Sequence, residues 1–116
     1  MTSLETARLA AKALDSKKGL DIKIIKIQDI SSIADYFVIA TGTSNTHVKA
    51  LADEAEYQLS EAGLSASGIE GQRNDTWILL DYIDVVIHVF SEDARDYYSL
   101  ERLWEDGTSV TLDPEL

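Results

Sequence analysis

The sequence contains no cysteine among its 116 residues and a single proline, Pro114. The lack of cysteine excludes disulfides and thiolate metal sites, and it agrees with a reducing compartment. No stretch reaches the roughly 18 apolar residues that a membrane-spanning helix requires. The first nineteen residues lack the continuous apolar run of a secretory signal, so the sequence predicts a soluble, cytosolic protein.

Basic residues are also scarce, because 10 Lys and Arg stand against 21 Asp and Glu and give a formal net charge of -11. From residue 81 onward, ten carboxylates are accompanied only by Arg95 and Arg102. Phosphate binding requires clustered positive charge, so this composition disfavours direct contact with nucleic acid. It suits a basic protein partner, although the same charge also serves simply to keep many acidic domains soluble.

Hydrophobic periodicity predicts alternating helices and strands. The first half is expected to contain a helix over 3–17 with a Thr2–Glu5 capping box, strands over 21–27 and 35–42, and a helix that is capped by Thr43 or Ser44, runs to about 62 and is ended by Gly63. A short connection or weak edge strand over 64–69, a hairpin of strands 76–81 and 84–90, and a last helix between Ser91 and Gly107 are expected to follow. The run over 35–42 is almost continuously apolar, which indicates burial on both faces. We therefore expect one α/β domain over residues 1–107, a mixed β-sheet flanked by helices, and a C-terminal tail over 108–116.

The stretch WILLDYIDVVIHVF, residues 77–90, places Asp and His in the most apolar part of the chain. Strand alternation puts His88 among apolar neighbours, where a neutral, hydrogen-bonded histidine of the core is more common than a catalytic one. The other histidine, His47, lies near the start of the long helix, and no HxxxH or HExxH spacing is present. A metal site is therefore not expected.

A metal-dependent nucleotidyltransferase is the sharpest enzymatic alternative, because such enzymes combine a Gly-Ser turn with two carboxylates alternating on one strand. Residues 42–44 resemble the turn, yet they carry no P-loop lysine, and capping of the next helix is their simpler role. Asp53 and Glu54 fall within the helix, and a hairpin loop separates Asp81 from Asp84. The pattern is incomplete, so we predict no catalytic residue and no cofactor.

Four phrases between residues 35 and 107 carry a family resemblance: DYFVIATGTSNTHVKALAD, then EG at 70–71, WILLDYIDVVIHVF and RDYYSLERLWEDG. In this order they resemble the ribosomal silencing factor family, also called Iojap-like, over most of residues 35–107. The resemblance implies a nucleotidyltransferase-like fold without its catalytic carboxylates, and a translational regulator that is no enzyme. It also implies a homodimer that binds the large ribosomal subunit through its fourteenth protein and blocks joining of the small subunit. A divergent nucleotidyltransferase and a dimeric scaffold for another partner are the alternatives.

The partner-binding residues that the resemblance implies lie in its last two phrases: Trp77, Asp81, Tyr97, Tyr98, Leu100, Glu101 and Trp104. Trp77 could equally belong to the core, and Leu100 and Trp104 could equally serve only to dock the last helix. Tyr98, Asp81 and Glu101 are stronger candidates, since acids and tyrosine tips rarely lie in a core without partners. The family usually has Gly where this chain has Ile83, and a β-branched residue suits a tight hairpin turn poorly, so we expect an altered or strained turn.

Overall fold

The computed structural model describes residues 1–29, 32–71, 76–98 and 108–110, of which 97, 98 and 108–110 are described by their backbone alone. The elements are α1 (Ser3–Ser16), β1 (Leu20–Lys26), β2 (Tyr36–Gly42), α2 (Asn45–Glu61), β3 (Gly68–Glu70), β4 (Trp77–Asp81), β5 (Val85–Ser91), α3 (Glu92–Tyr98) and β6 (Thr108–Val110). The predicted elements are therefore present, with the last helix described as far as Tyr98. β6 was not predicted, and it lies within the segment that we expected to be a tail. No helix in the described part of the chain is long and apolar enough to cross a membrane.

The strands form one sheet in the order β3-β4-β5-β2-β1-β6. β2 and β5 are parallel, with partners running from Tyr36 and Val85 to Gly42 and Ser91. The four other neighbouring pairs are antiparallel. The sheet is thus mixed, as predicted. Because the central strands β2 and β5 are parallel, their C-terminal ends lie side by side.

One face of the sheet, here called the first face, is covered by α1 and α2. Small residues on α1, such as Ala7 and Ala11, are fully buried, which allows close helix–sheet approach, and Val48 and Leu51 of α2 join the same cluster. Ile87 supplies one of the strand side chains beneath them. Burial of apolar surface stabilises by about 25 cal/mol per Å². Because the apolar cluster on the first face is larger than the one on the opposite face, it is the principal core.

The opposite face, here called the second face, carries a separate apolar cluster that includes Phe37, Ile39 and Phe90. Every residue of β2 is buried, which confirms the prediction that this strand is covered on both sides. Ala94 of α3 packs into the second-face cluster. The last helix therefore leaves the sheet on the side opposite to α1 and α2.

The helix ends follow from local hydrogen bonding. Thr2 and Glu5 form the predicted capping box of α1, and Ser44 accepts a hydrogen bond from the backbone of His47 at the start of α2. Both helices end in the same motif, in which one residue adopts a positive φ. In α2 that residue is Gly63 at 89°, as predicted, whereas in α1 it is Lys18 at 64°.

Candidate docking surface and neighbouring sites

Trp77 and Asp81, the predicted partner-binding residues of the hairpin, both project from β4 onto the second face. Their partners across the ladder are Phe90 and Val86 respectively. The intervening Ile78 and Leu80 point to the first face and are 1% exposed, whereas Trp77, Leu79 and Asp81 are each half-buried. The strand predicted over 76–81 therefore alternates between the two faces, with its second-face residues partly open to solvent.

Trp77 is held in place by an aromatic cluster. Its indole N–H donates to Nδ1 of His88 at 3.2 Å, and its ring centroid lies 5.0 Å from that of Phe90. Phe37 contacts the His88 ring edge-on, with the centroids 4.7 Å apart. Because the rings of His88 and Phe90 hold the amphipathic indole in one position, its solvent-exposed part is rigid and preorganised.

His88 is 4% exposed, which confirms its predicted place in the packed sheet. Since Nδ1 accepts the hydrogen bond from Trp77, the proton of the neutral ring must be on Nε2. Burial disfavours the charged form and lowers the pKa of His88 from 6.5 to about 4. Nε2 is itself buried, and it has no hydrogen-bond partner among the described residues.

The turn between β4 and β5, for which the sequence predicted an altered or a strained form, holds Ile83 at a positive φ. Ile83 has a φ of 71° and is 67% exposed. Its N–H donates to Oδ1 of Asp81 at 2.8 Å, and the N–H of Asp84 donates to the carbonyl of Tyr82 at 2.9 Å across it. Asp81 therefore has a defined role inside the chain, since its carboxylate secures the turn.

A cavity of about 270 Å³ opens on the second face beside Asp81. Its apolar lining includes Phe37, Leu79 and Val86, and His88 also borders it. The carboxylates of Glu70 and Asp81 are the charged groups among its described lining residues. Sequence alternation identifies the face of each residue but gives no sign of this cavity, because four strands and the segment before β2 contribute to it.

The other predicted partner-binding residues follow β5. α3 begins after Ser91, whose hydroxyl accepts a hydrogen bond from the N–H of Ala94 at 3.3 Å. Tyr97 and Tyr98 are the last two residues of α3, and their side chains are not described. Leu100, Glu101 and Trp104 lie outside the described residues.

The residues considered for nucleotidyl transfer do not come together. A second, more polar cavity of about 610 Å³ lies where β2 and β5 end, and it is lined in part by Ser44, Glu92 and Asp93. Asp84 precedes β5, so it lies about 20 Å from the 42–44 turn at about 3.3 Å per strand residue. The 42–44 turn and Asp84 are therefore too far apart to hold the same metal pair. In the part of the chain that the structure describes, no group of three or more His, Asp or Glu side chains is placed to hold a metal ion.

His47 has a structural role that sequence reasoning missed. Its Nδ1 accepts a hydrogen bond from the N–H of Thr43, and its Nε2 lies 2.8 Å from the carbonyl oxygen of Lys17. With Nδ1 acting as the acceptor, the Nε2–H donates to Lys17. His47 thus ties the end of α1 to the start of α2, and no local pattern indicates a contact between residues so distant in sequence.

Comparisons with known proteins point to a single family. Residues 1–116 match the model of the family described as "Ribosomal silencing factor during starvation". The ribosomal silencing factor of Bacillus subtilis is 41% identical, over 97% of this chain and 96% of its own, and that of Halalkalibacterium halodurans is 40% identical over 97% of both. A crystal structure of a Chromobacterium violaceum protein is 40% identical, covers 96% of this chain and 92% of its own, and superposes with a TM-score of 0.88.

Proposed function

Because the chain belongs to the family of ribosomal silencing factors, we propose that it binds the large ribosomal subunit through the fourteenth protein of that subunit. The bound protein occupies the surface needed by the small subunit and so represses translation in the cytoplasm. Inhibition by occupation requires neither a catalytic residue nor a cofactor. The acidic composition, with a net charge of -11, suits a basic ribosomal protein better than ribosomal RNA.

We define the docking face as the seven residues that the resemblance implies: Trp77, Asp81, Tyr97, Tyr98, Leu100, Glu101 and Trp104. One observation supports treating them as a single surface. Trp77 and Asp81 are partly exposed on the second face of the sheet, and α3 packs on that same side through Ala94. The hairpin and the last helix can therefore contact one partner together.

The two hairpin residues make different contributions to such a contact. Trp77 is already held by His88 and Phe90, so docking would cost it little conformational entropy. Truncation of a central aromatic anchor of this kind typically costs about 2 kcal/mol or more of binding free energy. Asp81 offers a half-buried carboxylate that can pair with Lys or Arg and fix the orientation of the partner.

The decisive variant is Asp81→Asn, because it removes the charge and keeps an oxygen that can accept from the N–H of Ile83. We expect affinity for purified large subunits to fall by about tenfold, with unchanged thermal stability. Co-sedimentation measures the affinity. Asp15→Asn is the matched control, since it removes an exposed carboxylate from α1 on the opposite side of the sheet and should bind normally.

Tyr98→Ala tests the helical part of the docking face in the same assay. Wild-type affinity in both Asp81→Asn and Tyr98→Ala would rule out this surface, and failure of the wild-type protein to bind large subunits would rule out the partner. Light scattering of subunit mixtures tests the block of joining. The proposal includes a homodimer, as the resemblance implies, and sedimentation equilibrium of the free protein tests that part alone.

A further inference from the structure

Arg95 of α3 is buried although its guanidinium carries a permanent positive charge, with only 8% of the residue exposed. Its Nη1–H donates to the hydroxyl oxygen of Thr41 at 2.7 Å, and Thr41 is itself 3% exposed. Hydrogen bonds from a charged donor are short and strong, and a buried charge that loses its partner is strongly destabilising. The bond therefore joins α3 firmly to one point on the sheet.

That point lies on the second face, near the end of β2. Thr41 alternates with Phe37 and Ile39 of the second-face cluster, and it pairs with Phe90 across the parallel ladder. α3 itself begins directly after β5. The helix is thus attached to one central strand by the chain and to the other by the side chain of Arg95.

Two attachments fix the direction of a helix, whereas one fixes only its starting point. Ser91 caps the start of α3, and the small methyl group of Ala94 packs into the second-face cluster. Tyr97 and Tyr98 follow Arg95 within one helical turn. The hydrogen bond to the sheet therefore determines where the backbone that carries these two tyrosines lies.

The surroundings favour a charged side chain at this position. A cavity of about 310 Å³ beside the pair is lined by Arg95 and Thr41 together with the carboxylates of Asp21, Glu92 and Asp96. Negative groups nearby reduce the cost of keeping a guanidinium charged while it is buried. One of the two positive charges from residue 81 onward therefore acts inside the protein and not on its surface.

We propose that Arg95 and Thr41 are positioning residues for the docking face. Their hydrogen bond holds the helical part of that face, from Tyr97 onward, in the orientation that meets the same partner as Trp77 and Asp81. A helix that samples several orientations binds with an affinity reduced by the fraction in the competent one. The inference rests on the proposed function and deepens it, because it names buried residues that determine binding without touching the partner.

Substitutions of Thr41 test the hydrogen bond. Thr41→Val removes the acceptor at nearly constant volume, and we expect it to bind purified large subunits about tenfold more weakly in co-sedimentation. Thr41→Ser keeps the hydroxyl and should stay within about twofold of the wild-type affinity. Amide hydrogen exchange over residues 92–98 should accelerate in the Val variant and not in the Ser variant. Thr6→Val is the control, since it removes a buried hydroxyl from α1 and should bind normally.

The double variant Thr41→Val, Arg95→Met separates positioning from stability. It removes both ends of the hydrogen bond, so no buried charge is left unpaired, and its unfolding midpoint should recover toward that of the wild-type protein. Its affinity should remain low, because a flexible Met side chain packs without a fixed direction. Affinity that recovers together with stability would show a purely structural pair and would overturn the inference.

Combined variants show which part of the docking face depends on the pair. In a Tyr98→Ala background the loss caused by Thr41→Val should shrink to about threefold or less, because the two residues then act on the same contact. In an Asp81→Asn background the loss should remain about tenfold.

The outcomes separate this inference from the proposed function. Wild-type affinity in Thr41→Val, or equal losses in the Tyr98→Ala and Asp81→Asn backgrounds, would overturn the positioning role and leave the proposed function intact. Failure of the wild-type protein to bind large subunits would overturn both proposals.

Discussion

Among the described non-glycine residues with a positive φ, Ile83 is the β-branched one. A β-branched residue with a φ of 71° is strained, and such strain typically costs about 1–3 kcal/mol. Three hydrogen bonds around the turn hold it, from the N–H groups of Tyr82, Ile83 and Asp84. The side chain is 67% exposed, so packing does not compensate for the strain.

Replacing Ile83 with Asn should therefore raise the free energy of unfolding by about 1 kcal/mol, because Asn tolerates a positive φ without the backbone entropy of Gly. Urea unfolding measures the change. Ile83→Val retains the β-branched shape and serves as the control, with no change expected. Equal stability of the Asn variant and the wild-type protein would show that the turn is not strained.

His88 makes stability depend on pH in a defined direction. Its pKa falls from 6.5 to about 4 on folding because burial opposes the charged ring. The unfolded chain therefore binds the proton more tightly, so the stabilisation is complete above pH 6.5 and is lost as the pH falls toward 4, by about 1.4 kcal/mol per pH unit.

Between pH 7 and pH 5 the wild-type protein should thus lose about 2 kcal/mol more than His88→Gln, which does not titrate. Urea unfolding at both pH values measures the difference between the two losses. His47→Gln removes the less buried histidine and controls for histidine loss as such. Parallel pH profiles for the wild-type protein and His88→Gln would contradict the buried neutral ring.

At the scale of elements, the edge formed by β3 and β4 depends on a close backbone approach. Gly71 follows β3 with a φ of 86°, and a Cβ there would lie 1.9 Å from the carbonyl oxygen of Trp77. No side chain fits this geometry without a shift of the backbone. This close approach is a physical reason for the glycine in the Glu-Gly phrase at 70–71. The sequence alone did not supply that reason.

Gly71→Ala should therefore destabilise the protein by about 2 kcal/mol or more. Gly68→Ala is the matched control on the same edge, because its Cβ meets nothing within 4 Å, and its stability should change by less than about 1 kcal/mol. Chemical denaturation compares the two variants. Hydrogen exchange in β3 locates the effect, and equal stability of both variants would refute the close approach.

At the scale of the whole molecule, the two faces of the sheet differ in how far their side chains are covered. α1 and α2 cover the first face with the larger apolar cluster. The second face carries half-buried Trp77, Leu79 and Asp81. The net charge of -11, most of it carried from residue 81 onward, favours encounter with a basic partner from a distance set by the ionic strength.

The association rate with the proposed partner, the fourteenth protein of the large subunit, should therefore fall by about tenfold between low and moderately high salt, while the dissociation rate changes less. Stopped-flow mixing at several salt concentrations measures both rates. Asp81→Asn should show a shallower dependence on salt than Asp15→Asn if its charge lies within the contact. A rate that does not change with salt would show that long-range charge plays no part.

Much of the architecture was predictable because its signals are local. Thr2 and Glu5 define the start of α1, Ser44 and Gly63 bound α2, and alternation along 77–90 gives both the hairpin and the face of each residue. Each signal depends on neighbours a few residues apart. Lys18 shows the limit of such signals. The positive-φ position at the end of a helix usually holds Gly, and the Lys that occupies it in α1 gives no sequence signal of that conformation.

The sequence by itself determined the order of the elements, the acidic character and the family resemblance, since these are properties of residue type and spacing. Tertiary structure decided which distant segments meet. β6 exists because the edge of β1 offers backbone groups to pair with, and the parallel register of β2 and β5 keeps the 42–44 turn far from Asp84. The cavity beside His88 arises only when separate strands align, because its walls are adjacent in space and not in sequence.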